Sequence, residues 1–429
     1  MKIAIIGAGA AGLSAAFDLT AAGHTVTVYE AAPEVGGLAA GFKAPHWDWS
    51  LEKFYHHWFA TDTDILKLAD ELGVRDKVIF PRPYTVLYHN GRFYPFDSIP
   101  TALLYPGLGW GLNKVRFGLV GLYLRFSNNW QTLEKVTLDA WMRKWAGDQV
   151  YEQMWQPMVI GKFGERYAKQ VNMAWMWARI HARTTTLGTF QGGFQAFMDV
   201  LAEAVRQRGG QIYLSTPVER IASQPDGRVA LHLAGGQTAT FDRLLATTSP
   251  ALFAKLAPQL TDAERQRIAD LKSMGAVVLV LALKQPLGEK YYWYNIPKSA
   301  GFPFLAVVDH TNYIPAEHYG GDYIVYCGDY LEPDHPYFDI TKEELFDIYL
   351  PGLQRINPNF NADWVKDMWL WRTRYAQPIP LVNQSQRIPP LKTSLPGVWL
   401  ASMSQVYPWD RGTNFAVEIG RRAAREMLA

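Results

Sequence analysis

The residues Gly7-Ala8-Gly9-Ala10-Ala11-Gly12 constrain the fold more than any other segment. They follow Lys2–Ile6, a short apolar run that reads as a buried parallel strand. They open 13–22, which has the composition of a helix and stops at Gly23. Thr25–Tyr29 is β-branched and predicts a second strand. Strand, glycine turn, helix and strand in this order make a mononucleotide-binding unit. The glycines permit a tight turn and a close backbone approach, so the helix's first N–H groups and positive dipole end can meet a pyrophosphate. Glu30 ends the second strand, eighteen residues after Gly12. A carboxylate there accepts hydrogen bonds from ribose hydroxyls and repels a 2′-phosphate.

The next residues separate the nucleotides. Ala31-Ala32-Pro33-Glu34-Val35-Gly36-Gly37-Leu38 places a second glycine pair after the acid, an extended diphosphate clamp that favours FAD over NAD. Near the other end, 398–402 predicts a strand leading through Tyr407-Pro408-Trp409-Asp410-Arg411-Gly412-Thr413-Asn414 into a helix over Thr413–Leu428. The first amides of that helix can hold the negative charge a reduced flavin carries. Between these ends, helices are expected over 62–72 and 194–208, and a hairpin over 84–94 turns at Asn90-Gly91. Strands are expected over 211–215, 218–221, 228–233, 275–283 and 323–326. The stretch 99–124 is apolar and punctuated by glycine, and the chain then reads as helical to about Trp155.

A chain of 429 residues exceeds one hydrophobic core. Two interleaved domains are therefore expected: 1–60, 190–270 and 390–429 for the cofactor, 61–189 and 271–389 for the substrate. With 48% apolar residues, 19% charged residues and a net charge of +2, the composition is globular and gives no reason to expect a nucleic-acid partner. Cys327 is the only cysteine, so no internal disulfide can form and a reducing, cytoplasmic setting is the simpler expectation. The 16 Trp, 22 Tyr and 21 Phe exceed what a small polar substrate needs and suit a large apolar cavity.

Taken together these motifs resemble the flavin amine oxidase, protoporphyrinogen oxidase and phytoene desaturase superfamily. Further likenesses are Gln191-Gly192-Gly193-Phe194, Thr216-Pro217-Val218-Glu219-Arg220-Ile221, Ala246-Thr247-Thr248-Ser249-Pro250 and Glu418-Ile419-Gly420-Arg421-Arg422-Ala423. The resemblance implies an α/β protein, in which a Rossmann-like FAD-binding domain is interleaved with a mixed α+β substrate-binding domain. It implies non-covalent FAD held by Gly7, Gly9, Ala10, Ala11, Gly12, Glu30, Ala31, Gly36, Gly37, Leu38, Val218, Thr247, Ser402, Met403, Arg411, Gly412, Thr413 and Asn414. This chain departs from the family pattern twice. Leu38 stands where relatives often have Arg, and Ser402-Met403 stands where many have Gly-Asp.

A bound flavin performs the hydride chemistry, while the protein positions the C–H bond and excludes water. The expected function is an FAD-dependent oxidoreductase that removes hydride from a bulky, largely apolar or amphipathic substrate. Its electrons would pass to oxygen, a quinone or a carrier. A redox-neutral mutase, similar to UDP-galactopyranose mutase, and a non-catalytic FAD-binding protein remain open. In His46-Trp47-Asp48-Trp49-Ser50-Leu51-Glu52-Lys53-Phe54-Tyr55-His56-His57-Trp58, the resemblance brings His56 and His57 along the flavin as catalytic candidates. His310, Asn312, Arg372, Arg374 and Tyr375 are candidate substrate contacts, with Arg372, Arg374 or Arg411 available to an anionic group. The spacing of His46, Asp48, Glu52 and His56 matches no metal-ligand pattern, so no metal is expected. Ile99–Phe126, rich in Leu, Tyr and Trp110, is expected to be buried as a wall of the substrate cavity. Its alternative is a peripheral membrane contact, because its only charges, Lys114, Arg116 and Arg125, are all positive.

Overall fold

The computed structural model describes residues 1–109, 111–182, 184–288 and 290–429. Five strands form an all-parallel sheet in the order Val398–Leu400, Arg243–Ala246, Lys2–Ile6, Thr25–Tyr29 and Gln211–Tyr213. Alternation along each strand sorts the side chains onto two faces. Ile3, Ile5, Val26, Val28 and Leu245 meet the helices Ala10–Ala21, Phe194–Gln207 and Thr413–Leu428. Ala4, Ile6, Tyr29 and Leu244 meet an antiparallel sheet of Val218–Ser223, Val229–Leu233 and Thr238–Phe241. Both faces being covered, Lys2–Ile6, Arg243–Ala246 and Val398–Leu400 are almost wholly apolar, whereas the edge strand Gln211–Tyr213 is partly exposed.

Helix contacts are equally tight. A Cβ on Gly12 would lie 2.0 Å from the Gly7 carbonyl oxygen, and one on Gly420 would lie 2.1 Å from that of Ala11. Only glycine lets the helix Thr413–Leu428 sit on the first helix at this distance. The helix Thr63–Glu71 also turns Ile65, Leu66, Leu68 and Ala69 into this core, which continues to Val78 and so beyond residue 60.

A seven-stranded mixed sheet has the order Val365–Pro378, Ser273–Leu283, Tyr323–Leu331, Ala306–Asp309, Trp293–Asn295, Thr85–His89 and Arg92–Pro95. Its second strand, Ser273–Leu283, sends Val277, Leu279 and Leu281 into one core and Val278, Val280 and Ala282 into another. Asn90 and Gly91 take φ of 46° and 83°, the two left-handed residues that the hairpin required. Val365–Pro378 is a long edge strand that the sequence pattern does not announce, because polar and apolar residues follow no clean alternation along it and almost none is fully buried.

Helices over Leu112–Phe126, Leu138–Ala146 and Met173–Ala182 share a further core, whereas the short helix Ile99–Leu104 buries none of its residues. Here one expectation fails. Ile99–Phe126 is not a buried wall: Val120 and Leu124 are buried, yet Ile99, Leu104, Leu112, Leu119 and Phe126 are 61–78% exposed. The segment is apolar around most of its circumference, and the neighbouring helices cover one side only. Trp110, part of that expectation, lies outside the described residues.

Candidate cofactor site and active-site cavity

The strand Lys2–Ile6 delivers Gly7 with φ +103°, and the Gly7 N–H donates to the Tyr29 carbonyl at 2.8 Å. The Thr247 hydroxyl donates to the Ile6 carbonyl at 2.9 Å, so this residue braces the glycine turn from behind. No side chain caps the helix that begins at Ala10, which leaves the amides of Ala10, Ala11 and Gly12 for an anion. Glu30 accepts from the Ala8 N–H at 2.7 Å and the Ala32 N–H at 2.9 Å. A carboxylate has four lone-pair sites, so ribose hydroxyls can still bind it. The Gly36 N–H donates to the Ala8 carbonyl at 2.8 Å, tying the second glycine pair to the first turn. Gly36 and Gly37 both take positive φ, Ala31 and Leu38 are exposed beside them, and Val218 is half-buried.

The far end of the site is built similarly. Thr413 and Asn414 are buried, and their side chains are already occupied. The Trp58 indole donates to the Thr413 hydroxyl at 2.8 Å. The Asn414 amide oxygen accepts from the Asp64 and Ile65 N–H groups at 2.9 and 3.0 Å, which fixes the start of Thr63–Glu71. Their contribution to a ligand is therefore backbone: Gly412 provides no side-chain cap for the helix Thr413–Leu428. Ser402 donates to Gln405 at 3.0 Å and closes its own turn, and Met403 lines a neighbouring cavity. Two uncapped helix ends and a strand-end carboxylate make a donor and acceptor set that fits a dinucleotide diphosphate and its ribose.

A cavity opens beside Leu38, walled by Phe54, Tyr55, His56, Val278, Tyr330, Thr373 and Arg411. His56 Nδ1 lies 2.5 Å from the Phe54 carbonyl. A carbonyl can only accept, so Nδ1 carries the proton and Nε2 is left as an acceptor. Burial pushes the His56 pKa down to about 4 against the opposing pull of that carbonyl, and Arg411 lowers it further, so the ring is neutral. Arg411 donates to Gln377 at 2.8 Å and to the Tyr330 hydroxyl. Its neighbour Asp410 pairs with the buried Arg179 at 2.7 Å and accepts from Trp175 and Gln377. Arg411 also lines a second cavity, with Trp175, Gln377, Met403, Tyr407 and Trp409.

Several candidates face elsewhere. His57 Nε2 lies 2.7 Å from the Tyr292 hydroxyl, among Tyr292, Trp293 and Tyr313, and is not part of either cavity wall. His310 is buried against the Tyr319 hydroxyl at 2.7 Å, and burial lowers its pKa to about 3. The Asn312 amide holds the Tyr291 carbonyl at 3.1 Å. Arg372 donates to the Phe338 and Ile340 carbonyls, and Arg374 to Pro333 and to Asp339. The Tyr375 hydroxyl is held by Ser404. Strand alternation explains the arginines, since Thr373 between them takes the cavity face. Tyr330 is a site residue that the sequence expectation does not include: the strand expected over 323–326 runs on to Leu331, and its alternation through Gly328 brings Tyr330 to the cavity. Burial in that strand holds the Cys327 thiol well above its ordinary pKa, which removes it as a nucleophile.

Comparison with known proteins gives a consistent picture. A sequence model of the family described as "flavin containing amine oxidoreductase" matches residues 10–428. The 15-cis-phytoene desaturase of Synechococcus elongatus is 28% identical over 266 aligned residues, 55% of this chain and 54% of that protein. The chain thus spans about half the length of the curated phytoene desaturases it matches. A probable zeta-carotene desaturase of the same organism is 22% identical over 482 aligned residues, 100% of this chain and 98% of that one. Among solved structures, an oxidoreductase from Methanosarcina mazei has a TM-score of 0.74 at 18% identity, covering 99% of this chain and 100% of that one. Reduced UDP-galactopyranose mutase has 0.74 at 16%, covering 100% and 95%. At these identities the structures speak for the fold.

Proposed function

The chain belongs to the flavin containing amine oxidoreductase family, which makes FAD its cofactor, and from that premise we propose that it removes hydride from a C–H bond of a bulky, apolar or amphipathic substrate. The observation that supports this reading best is the aromatic cavity beside the second glycine pair, with one neutral imidazole and one guanidinium in its walls. FAD, once bound, supplies the hydride acceptor. The amides of 10–12 and 413–415 would hold its charged groups, Glu30 its ribose, and the Gly36-Gly37 backbone its diphosphate. Cys327, the single cysteine, is fully buried within the strand Tyr323–Leu331, and we take the attachment to be non-covalent.

The substrate side of the reaction falls to side chains. Phe54, Tyr55 and Tyr330 exclude water from the C–H bond. Arg411 orients a substrate that carries an anionic end, since Arg372 and Arg374 are spent on carbonyls. The free Nε2 of His56 can accept a proton released as the substrate loses hydride. The electrons leave to oxygen, a quinone or a protein carrier. We retain the division into two interleaved domains, with the helix Thr63–Glu71 on the cofactor side. The lone buried cysteine supports a reducing, cytoplasmic setting.

Anaerobic mixing of the FAD-loaded protein with a panel of apolar polyenes and amphipathic amines tests the proposal. A substrate of the expected kind bleaches the oxidised-flavin absorbance within one turnover. Product formation with no net bleaching would replace this reading with a redox-neutral one, as for a mutase. No response to any member of the panel, with a stable protein partner on pull-down, would favour a non-catalytic role.

A further inference from the structure

We propose that Gln377 is the positioning residue for Arg411: its side-chain amide, inserted between Asp410 and the guanidinium, keeps the two from pairing and leaves a positive charge at the wall the two cavities share. The inference rests on the reading of Arg411 as the anchor for an anionic substrate end, and it identifies what keeps that anchor available.

Asp410 and Arg411 are adjacent in the chain, and a carboxylate next to a guanidinium in a water-poor site forms a strong pair when nothing intervenes. Here the carboxylate is occupied elsewhere. Its Oδ2 accepts from the buried Arg179 at 2.7 Å. Its Oδ1 accepts from the Trp175 indole, the Gln377 amide and the Arg411 backbone N–H at 3.1–3.2 Å. The Arg411 side chain bonds instead to the Gln377 amide oxygen at 2.8 Å and to the Tyr330 hydroxyl. The rest of its fork of donors remains for a ligand in the cavities that Arg411 lines. Arg179 thus neutralises Asp410, and the charge of Arg411 is left over.

Only a group that both donates and accepts can stand in this gap. The carboxylate cannot donate, and the guanidinium cannot accept. Gln377 meets both demands: its Nε2 donates to Asp410 and to the Pro378 carbonyl at 3.2 Å, while its Oε1 takes the Arg411 Nε proton. Turning the amide over would set oxygen against oxygen and N–H against N–H, so the neighbours fix its orientation. The backbone delivers it by an irregularity. From Thr373 to Gln377 the edge strand Val365–Pro378 takes four steps, where Ser273–Leu283 takes two from Ala276 to Met274. That bulge brings Gln377, in place of Tyr375, opposite Met274 and buries it to 1% exposure.

Titration calorimetry of the FAD-loaded chain with two submicellar probes, decanoate and decan-1-ol, tests the proposal. The probes share a tail and differ in the charge at its end. Wild type should bind decanoate more tightly than the alcohol, and Arg411→Met should abolish that preference. Gln377→Met lets Arg411 fall onto Asp410, and Gln377→Glu neutralises Arg411 from the same place. Each should cost about tenfold or more in decanoate affinity and leave that for decan-1-ol unchanged. Flavin absorbance and melting temperature identify folded variants, and either Gln377 variant alone carries the test. A decanoate preference that survives the Gln377 changes but not Arg411→Met overturns the proposal and leaves the Arg411 reading standing. Equal weakening of both probes makes Gln377 a purely structural residue and also overturns it. A wild type that binds the two probes alike, or an Arg411→Met variant that keeps the preference, removes Arg411 as an anion anchor and the proposal with it.

Discussion

Apart from the Glu30 carboxylate, the groups left for a ligand around the strand Lys2–Ile6 are backbone: the amides after Gly9, the amides after Gly412, and the loop at Gly36-Gly37. Side chains there serve the backbone, as Thr247 braces a turn and Asn414 caps a neighbouring helix. Around Ser273–Leu283 the roles reverse. His56, Tyr330, Thr373 and Arg411 reach the cavity as side chains, each brought by a different part of the chain. A site made of backbone tolerates side-chain change but not a shift of its helices. A site made of side chains tolerates small backbone shifts but depends on which face of a strand each residue takes.

The largest test of that contrast compares two glycines. Gly420→Ala would drive a Cβ to 2.1 Å from the Ala11 carbonyl, so the last helix must lift and carry its amides with it. We expect a loss of about 3 kcal/mol in unfolding free energy, together with FAD, by denaturant titration and flavin absorbance. Gly161→Ala, on the substrate side, would press on the Leu305 side chain, with Cδ1 nearest at 2.3 Å, and a side chain can swing away where a backbone carbonyl cannot. A cost of about 1 kcal/mol with FAD retained is expected there. Equal losses would erase the distinction.

Glu30→Gln comes next. The amide keeps one acceptor oxygen for two backbone donors, so FAD affinity should fall by about 1.5–3 kcal/mol, read as a dissociation constant by flavin fluorescence. An unchanged constant would show that ribose is held elsewhere.

A smaller effect is set by pH. Burial raises the pKa of Asp309 to about 7 from 3.8, and that of Glu52 to about 7 from 4.5. Their contribution to stability is complete below the unfolded values and is lost as pH rises through about 7. The wild type should therefore melt lower at about pH 8 than at about pH 6, and Asp309→Asn should shrink that difference by on the order of 1 kcal/mol. A difference of the same size in both proteins would remove Asp309 from the account. Smallest of all, Arg374→Ala at an exposed position should change stability by about 0.5 kcal/mol or less and leave KM untouched. A raised KM would return this residue to the substrate site.

The same contrast governs what could be read from the residues. Lys2–Ile6, Thr25–Tyr29 and Thr413–Leu428 stand at the bounds their patterns gave, because each obeys a local rule of periodicity and termination. Val365–Pro378 was invisible: an edge strand with mixed burial has no clean alternation, and its partner Ser273–Leu283 is remote in sequence. His56 and His57 are adjacent and chemically identical, and only the fold turns one toward Arg411 and the other toward Tyr292. For Ile99–Phe126 composition registered the apolarity but could not say how much of it the other helices would cover.

The strand order of the parallel sheet also bears on how this protein is made. Lys2–Ile6 lies at its centre, yet the neighbour Arg243–Ala246 and the edge Val398–Leu400 are synthesised far later. A ribosome therefore releases the first helix, nine of whose twelve residues end up buried, long before the helix that covers it exists. During that interval its apolar surface is a ligand for chaperones. FAD cannot be retained until Thr413 and its successors have left the exit tunnel. Flavin supply in the cell then acts at the last stage of folding, and riboflavin starvation should accumulate a full-length, protease-sensitive apoprotein rather than truncated fragments.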